Sequence, residues 1–188
     1  MHSIIIFASG KGSNAQAIID HNKRTGQAQV ALIVTNNVNA GVLDIAERER
    51  IPFLIINKHT LNETLLVDQL EDIKPSLIVL AGFMWKVPEK IVHTFHNKIV
   101  NIHPALLPSY GGKGMYGEHV HKAVIAAKER ESGSTIHYVN EVYDSGDIIL
   151  QARCNVTAGD TADTLAQRIH QLEHFYYPRA IEFLLNQH

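Results

Sequence analysis

Short apolar runs alternate with segments of helical periodicity over the first hundred residues. The predicted strands are Ile4–Phe7, Val30–Val34, Phe53–Ile56, Leu77–Leu80 and Lys98–His103. Between them, apolar residues recur every three or four positions, which is typical of amphipathic helices. Strands that alternate with helices form βαβ units, so the pattern predicts an α/β fold with a doubly wound (Rossmann-like), mostly parallel sheet.

Single residues mark the ends of several predicted helices. The run Thr60–Glu63 matches a capping box and predicts that the third helix begins there. Gly26 is typical of the residue just beyond a helix C-terminus. Asp160-Thr161 predicts the start of a long C-terminal helix. A proline removes a backbone donor, so we expect Pro178 to kink or break that last helix.

The chain beyond residue 103 follows a different pattern. Residues 110–117 contain four glycines, which predict a mobile loop, and a helix is expected at Glu118–Lys128. Ser134–Val139 and Ile148–Val156 predict a late antiparallel strand pair, joined by a turn at Asp144-Ser145-Gly146. The length of 188 residues fits one domain.

Composition and charge narrow the classes of function. A net charge of −2 gives no broad basic surface, so nucleic acid is not an expected partner. The single cysteine, Cys154, fits a reducing compartment, and no run suggests a signal peptide or a membrane span. We therefore expect a cytoplasmic protein. The twelve histidines show no metal-ligand spacing, and the pairs His93/His96 and His119/His121 are interpreted as surface or helix-lining residues.

The stretch Asn101-Ile102-His103-Pro104 ends the fifth predicted strand. Side chains alternate between the faces of a strand, so Asn101 and His103 point the same way. An amide donor beside a titratable ring could hold a developing oxyanion. The alternative is that His103 bonds only to a backbone carbonyl. The catalytic interpretation is favoured, because ligands of doubly wound sheets bind at the carboxyl ends of strands.

The segment Gly10-Lys11-Gly12-Ser13-Asn14 lies between the first predicted strand and the first helix. Backbone N–H groups at a helix N-terminus bind anions, and glycines allow close approach. The segment lacks the order of a Walker loop and the third glycine of a dinucleotide fingerprint, so it indicates a single phosphate. The alternative is a tight turn in which Ser13 merely caps the helix.

Three further positions are candidates for the same site. Asp144 either bonds to its own turn or pairs with His103 and raises the pKa of the imidazole. His137 is either a ligand-facing residue or a satisfied core histidine. The segment Gly82–Val87, which contains the only tryptophan, either lines a site for a flat apolar ligand or packs beneath the next helix.

Together these motifs resemble those of the folate-dependent phosphoribosylglycinamide formyltransferases, over essentially the whole chain. The stretch Asn101–Pro108 with a downstream Asp144 is specific for enzymes that use formyltetrahydrofolate, and Gly12-Ser13-Asn14 narrows the resemblance to this family. Further matching segments are Ala81–Met84, Ser134–His137, Asp144–Gly146, Ile149–Gln151 and Glu173-His174.

The resemblance implies a role for each of these residues. The substrate phosphate would bind to Gly12, Ser13 and Asn14, and Glu173 would bind the glycinamide amine end near Met84. The folate would lie along residues 84–87 and against the loop from residue 140 to 144. Its implied binding residues are Met84, Trp85, Lys86, Val87, Asn101, Asn140 and Asp144. The catalytic set would be Asn101, His103 and Asp144. Residues 1–188 would form a single formyltransferase domain, with a phosphate-binding half at 1–103 and a folate and catalytic half at 104–188.

The implied reaction moves a formyl group from 10-formyltetrahydrofolate, the co-substrate, to the amine of glycinamide ribonucleotide in purine biosynthesis. Amine attack gives a tetrahedral oxyanion, which Asn101 and a protonated His103 would stabilise while Asp144 keeps His103 cationic. The chemistry needs no metal. The expected partners are small-molecule substrates, with no nucleic acid and no membrane, and the chain would be a monomer or a homodimer.

Some positions depart from the family pattern, and other functions are compatible with the motifs. Asn62 stands where relatives often carry an arginine, Trp85-Lys86 stands where they carry other side chains, and the loop 111–117 is longer than in some of them. These differences affect the expected contacts to the folate tail.

The alternative functions are a formyltetrahydrofolate hydrolase, a methionyl-tRNA formyltransferase and a non-catalytic nucleotide- or folate-binding module. The first two are expected to carry extra domains, for which this chain has little room, and to lack the Gly-Ser-Asn loop.

Overall fold

The computed structural model describes residues 1–187, which contain seven strands and six α-helices. The strands are β1 (His2–Phe7), β2 (Ala28–Thr35), β3 (Phe53–Ile55), β4 (Leu77–Leu80), β5 (Ile99–His103), β6 (Glu131–Tyr138) and β7 (Ile148–Asn155). The helices are α1 (Ser13–Thr25), α2 (Val42–Glu49), α3 (Thr64–Asp72), α4 (Glu89–Thr94), α5 (Glu118–Ala126) and α6 (Ala162–Leu185). The predicted bounds differ from these by up to three residues.

All seven strands form one sheet in the order β3-β2-β1-β4-β5-β6-β7. The strands from β3 to β5 are parallel to one another, and β6 and β7 are antiparallel to their neighbours. The predicted doubly wound sheet with a late antiparallel pair is therefore confirmed. The chain reverses its winding between β1 and β4, and in such sheets the crevice at this point is where ligands bind.

Buried side chains on the two faces of the sheet form two separate cores. On one face, Ile4, Val100 and Ile102 pack with residues of α1 and α6. On the other face, Ile5 and Ile99 pack with residues of α3 and α4. Because the parallel strands are covered on both faces, nearly every residue of β1 and β4 is buried. This packing fixes the strand ends on which the cavity is built.

The helix-end signals at Gly26 and Asp160-Thr161 were interpreted correctly, but the one at Thr60 was not. Gly26 ends α1 with a φ of 68°, as expected. Residues 60–62 instead form a short 3-10 turn, and α3 begins only at Thr64. The reason is local competition, because the Thr60 hydroxyl accepts a hydrogen bond from the backbone of Asn57 (2.8 Å) rather than capping a helix.

Pro178 does not break the last helix, so the expectation of a break at this position is wrong. Helix α6 runs continuously from Ala162 to Leu185, with Pro178 inside it. The residues on both sides are anchored in the core, since Tyr177 and Ile181 are fully buried. Tertiary packing outweighs the loss of one helical hydrogen bond here.

Two further features bear on the site. The Leu107–Pro108 peptide bond is cis, and the glycine-rich residues 110–117 form neither helix nor strand.

Across residues 1–187, the structure has no helix that combines the length and the apolar character that a membrane crossing requires.

We predict that Tyr177→Phe destabilises the fold measurably. The Tyr177 hydroxyl is fully buried and lies 3.0 Å from the carbonyl of Leu80 and 3.1 Å from that of Val100, so it ties α6 to β4 and β5. Loss of this donor should lower the free energy of unfolding by about 1–2 kcal/mol. Chemical denaturation measures it. The half-buried Tyr176 supplies the control, and an equal loss in Tyr176→Phe would contradict the assignment.

Candidate active site

One cavity of about 600 Å³ opens at the carboxyl ends of β1, β4 and β5. Its walls include every residue that the sequence proposed for the site: Gly12, Ser13, Asn14, Met84, Trp85, Lys86, Val87, Asn101, His103, His137, Asn140, Asp144 and Glu173. These residues come from both halves of the chain. The fold thus brings the phosphate-type loop and the Asn101–His103 strand end into a single space.

The loop after β1 has the geometry of an anion site. Gly12 is the residue that precedes α1, with a φ of 79°, and no side chain caps the helix. A Cβ at Gly12 would lie 2.8 Å from Ile45 and 2.9 Å from Val42, so this close approach requires glycine. Ser13 does not cap the helix, which removes that alternative. The first N–H groups of a helix lack intrahelical acceptors and attract anions.

Glu173 lies on α6 with its carboxyl group against this loop. The side-chain amide of Asn14 donates to Glu173 Oε2 at 2.9 Å, and Glu173 is only 4% exposed. Burial raises the pKa of Glu173 to about 7, against the opposing effect of the Asn14 hydrogen bond. Near neutral pH, this carboxyl group therefore exists in both protonation states.

Asn101 and His137 face each other across β5 and β6, which pair them in register. His137 Nδ1 donates to the backbone carbonyl of Tyr138 (2.8 Å), so its Nε2 is left to accept from the Asn101 amide at 3.2 Å. Burial lowers the pKa of His137 and keeps the ring neutral. His137 is thus a satisfied buried histidine that also orients Asn101, leaving one Asn101 N–H for the cavity.

His103 and Asp144 lie close together, although they are 41 residues apart in sequence. His103 Nε2 donates to the backbone carbonyl of Tyr110 at 2.7 Å, while His103 Nδ1 lies 3.6 Å from Asp144 Oδ2. This separation is too long for a direct hydrogen bond. Nδ1 is therefore the ring nitrogen that remains available to a ligand oxygen.

Asp144 is held by the neighbouring loop, and its hydrogen bond does not come from its own turn. Its Oδ2 accepts from the backbone N–H of Gly112 at 2.9 Å, and its Oδ1 lies 3.7 Å from His137 Nε2. The backbone of Asp144 has a φ of 53°, which asparagine and aspartate tolerate better than most residues. The carboxylate therefore lies between the two imidazoles at the cavity wall.

The other end of the cavity is aromatic. The ring of Trp85 packs edge-on against Phe83, and Phe83 packs edge-on against Phe7. Met84 remains 48% exposed, while its backbone N–H donates to the Ser9 hydroxyl at 2.9 Å. Val139, Val142 and Tyr143 line the same region. This surface suits one face of a flat ring system.

Several cavity residues were not among the sequence candidates, and two of them, His121 and His170, are histidines. Lys11 and His170 lie near each other beside the Gly10–Asn14 loop. Burial is the main cause that lowers the pKa of His170, and the positive charge of Lys11 lowers it further. His121 is 2% exposed, and burial is the main cause that lowers its pKa to about 4. The pair His119/His121 was visible in the sequence. Only the packing of α5 reveals that His121 faces inward.

Within residues 1–187, no group of three or more histidine, cysteine, aspartate or glutamate side chains is arranged to hold a metal ion.

Comparison with known proteins gives consistent matches over the whole described chain. The formyl transferase family matches residues 2–181. The phosphoribosylglycinamide formyltransferase of Bacillus subtilis is 36% identical, and the match covers 98% of this chain and 95% of the relative. The chloroplastic phosphoribosylglycinamide formyltransferase of Vigna unguiculata is 39% identical, but the chain spans only 61% of its length.

Solved structures agree with the sequence comparison. The crystal structure of glycinamide ribonucleotide transformylase 1 from Geobacillus kaustophilus has a TM-score of 0.89 at 34% identity, covering 98% of this chain and 99% of that one. The phosphoribosylglycinamide formyltransferase of Anaplasma phagocytophilum has a TM-score of 0.90 at 33% identity, covering 98% and 87%. The two chains share the fold of this protein over nearly their full length.

We predict that Glu173→Gln stabilises the protein more at pH 8 than at pH 4. The folded pKa of about 7 exceeds the unfolded value of about 4.3. The protonated carboxyl group therefore gives its full contribution to stability below pH 4, and this contribution is lost as the pH rises through 7. Glutamine cannot ionise, so the variant should avoid a loss of at most about 4 kcal/mol. Denaturation at both pH values measures the difference, and an equal effect at both would contradict a raised pKa.

Proposed function

The chain belongs to the formyl transferase family, and we propose that it transfers a formyl group from 10-formyltetrahydrofolate to the amine of glycinamide ribonucleotide in purine biosynthesis. The observation that carries this proposal is a convergence in one cavity. Asn101, His103 and Asp144 meet at the end of β5, beside an anion-binding helix N-terminus that begins at Gly12.

The phosphate of the acceptor substrate would bind to Gly12, Ser13 and Asn14. The backbone N–H groups at the start of α1 provide the donors, and Gly12 keeps the approach open. From this end, the acceptor would extend past Glu173 and Met84 toward the end of β5. Both residues line the cavity between the loop and the strand end.

Asn101 and His103 would stabilise the negative charge that develops on the formyl oxygen during amine attack. His137 orients the Asn101 amide, so that one N–H faces the cavity. The Tyr110 carbonyl occupies His103 Nε2, which leaves Nδ1 for the formyl oxygen. Preorganised donors of this kind each contribute about 100–1000-fold in rate.

Asp144 would receive the proton that the attacking amine must lose, directly or through a water molecule. Its carboxylate lies 3.6–3.7 Å from both His103 and His137. The three side chains therefore divide charge stabilisation and proton removal between them.

The aromatic end of the cavity would hold the folate, which supplies the formyl carbon. Met84, Trp85, Lys86 and Val87 form one wall of this end, and the loop from Asn140 to Asp144 forms the other. Because Asn101 and Asp144 lie where the two ends meet, they contact both substrates in this arrangement. The buried ring of Phe7 and the partly buried ring of Phe83 support the Trp85 wall.

The proposal also covers the domain organisation of the chain, its location in the cell and its oligomeric state. We propose one formyltransferase domain, with a phosphate-binding half at residues 1–103 and a folate and catalytic half at 104–188. We further propose small-molecule substrates, a cytoplasmic location and a monomer or homodimer. The net charge of −2 and the single cysteine support these proposals.

An assay with three acceptors tests the function. The purified chain is mixed with 10-formyltetrahydrofolate and with glycinamide ribonucleotide, with charged initiator tRNA, or with buffer alone. We expect product only with glycinamide ribonucleotide, because this acceptor is small enough to place its phosphate at the Gly12 loop and its primary amine at the end of β5 within one cavity. Equal folate deformylation in buffer alone would indicate a hydrolase, and binding without turnover of any acceptor would indicate a binding module.

A further inference from the structure

The carboxyl group of Glu173 is buried, and no cationic side chain within residues 1–187 forms an ion pair with it. Its side-chain partner is the neutral amide of Asn14. Within one turn of it on α6, the titratable groups are Tyr177, which is bonded to strand carbonyls, Tyr176, and the stacked pair His170 and His174. Lys11 lines the same cavity from the loop side.

The contact with Asn14 places this carboxyl group next to the proposed phosphate site. Asn14 belongs to the first turn of α1 and donates to Glu173 at 2.9 Å. A phosphate dianion bound to Gly12, Ser13 and Asn14 would therefore lie close to the Glu173 carboxyl group, which is itself buried. Two negative charges in such a position repel each other strongly, and a carboxyl group that gains a proton relieves the repulsion.

Building on the proposed function, we propose that the acceptor substrate binds with Glu173 protonated, so that binding draws a proton onto this carboxyl group. In the free protein the pKa of Glu173 is already raised to about 7 by burial. The bound phosphate then raises it further. Above neutral pH, substrate binding must therefore take up a proton from solution.

A protonated Glu173 also favours the chemistry of the amine. An ionised carboxylate near the amine would stabilise its ammonium form, which has no lone pair and cannot attack the formyl carbon. A neutral carboxyl group still offers a hydrogen bond but removes this charge. The acceptor amine thus remains unprotonated, and its proton is left for Asp144 to receive after attack begins.

Calorimetric titration with ribose 5-phosphate tests the proposal, because this probe has the phosphate and the sugar but no amine that could titrate. Binding is measured at pH 8 in buffers with different ionisation enthalpies, which gives the number of protons exchanged. We expect roughly 0.5–1 proton taken up by the unmodified chain, and close to none by Glu173→Gln. Glutamine mimics the neutral carboxyl group, so the variant should bind at least as tightly at this pH.

The pH dependence of affinity provides a second measurement. Between pH 7.5 and 9, we expect the Kd of the unmodified chain to rise roughly tenfold per pH unit, and that of Glu173→Gln to stay nearly constant. His170→Gln is the matched control from the same helix and should retain the proton uptake.

Each other result overturns the proposal. Binding without proton uptake, or uptake that persists in Glu173→Gln, would place the proton elsewhere. Weaker binding by Glu173→Gln at pH 8 would mean that the carboxylate form is required. If ribose 5-phosphate does not bind to any of the three proteins, the phosphate site itself is wrong, and the proposed function fails together with this inference.

Discussion

The antiparallel pairing of β6 against β5 is the constraint on which the site depends. The register opposes Asn101 to His137 and His103 to Thr135. The same pairing sends the chain into the turn that carries Asp144, back over the end of β5. A shift of β6 by one residue against β5 would turn Thr135 and His137 to the opposite face of the sheet and separate His137 from Asn101. The catalytic geometry is therefore a property of the sheet more than of any single loop.

Backbone carbonyls assign the roles of the two imidazoles. Tyr138 fixes the tautomer of His137, and Tyr110 occupies Nε2 of His103. One ring consequently accepts a hydrogen bond from Asn101, while the other directs its free nitrogen toward Asp144. Burial acts in the same direction, since it lowers the pKa of His137 and raises that of Glu173 to about 7. The protonation of the side chains in this cavity therefore depends on burial as much as on ion pairing.

The sequence predicted the fold and the cavity residues well, and the reasons are physical. The apolar periods of the strands and helices, the alternation at Asn101–His103 and the glycine at position 12 are local signals. Each of these signals can be recognised from residues that are neighbours in the sequence. The distance between His103 and Asp144 was not derivable in this way, and the family resemblance suggested it.

The errors and omissions arise where distant contacts decide the outcome. The capping box at Thr60 failed because Asn57 competes for the same hydroxyl. Pro178 stays within α6 because Tyr177 and Ile181 anchor the helix in the core. His121 could not be placed in the cavity from its spacing alone, since an inward and an outward histidine look the same in sequence. The packing of α5 against α6 decides its direction.

The central claim is that Asp144 and His103 act together on the reacting groups, and the single-turnover rate of Asp144→Asn tests it most directly. Asparagine tolerates the positive φ of this position and keeps the side-chain size, so the variant should fold and bind both substrates. The account predicts a rate reduced by about 100–1000-fold. The exposed Asp147 in the same turn serves as control, and Asp147→Asn should keep the full rate. A rate for Asp144→Asn within a few-fold of the unmodified chain would contradict the account.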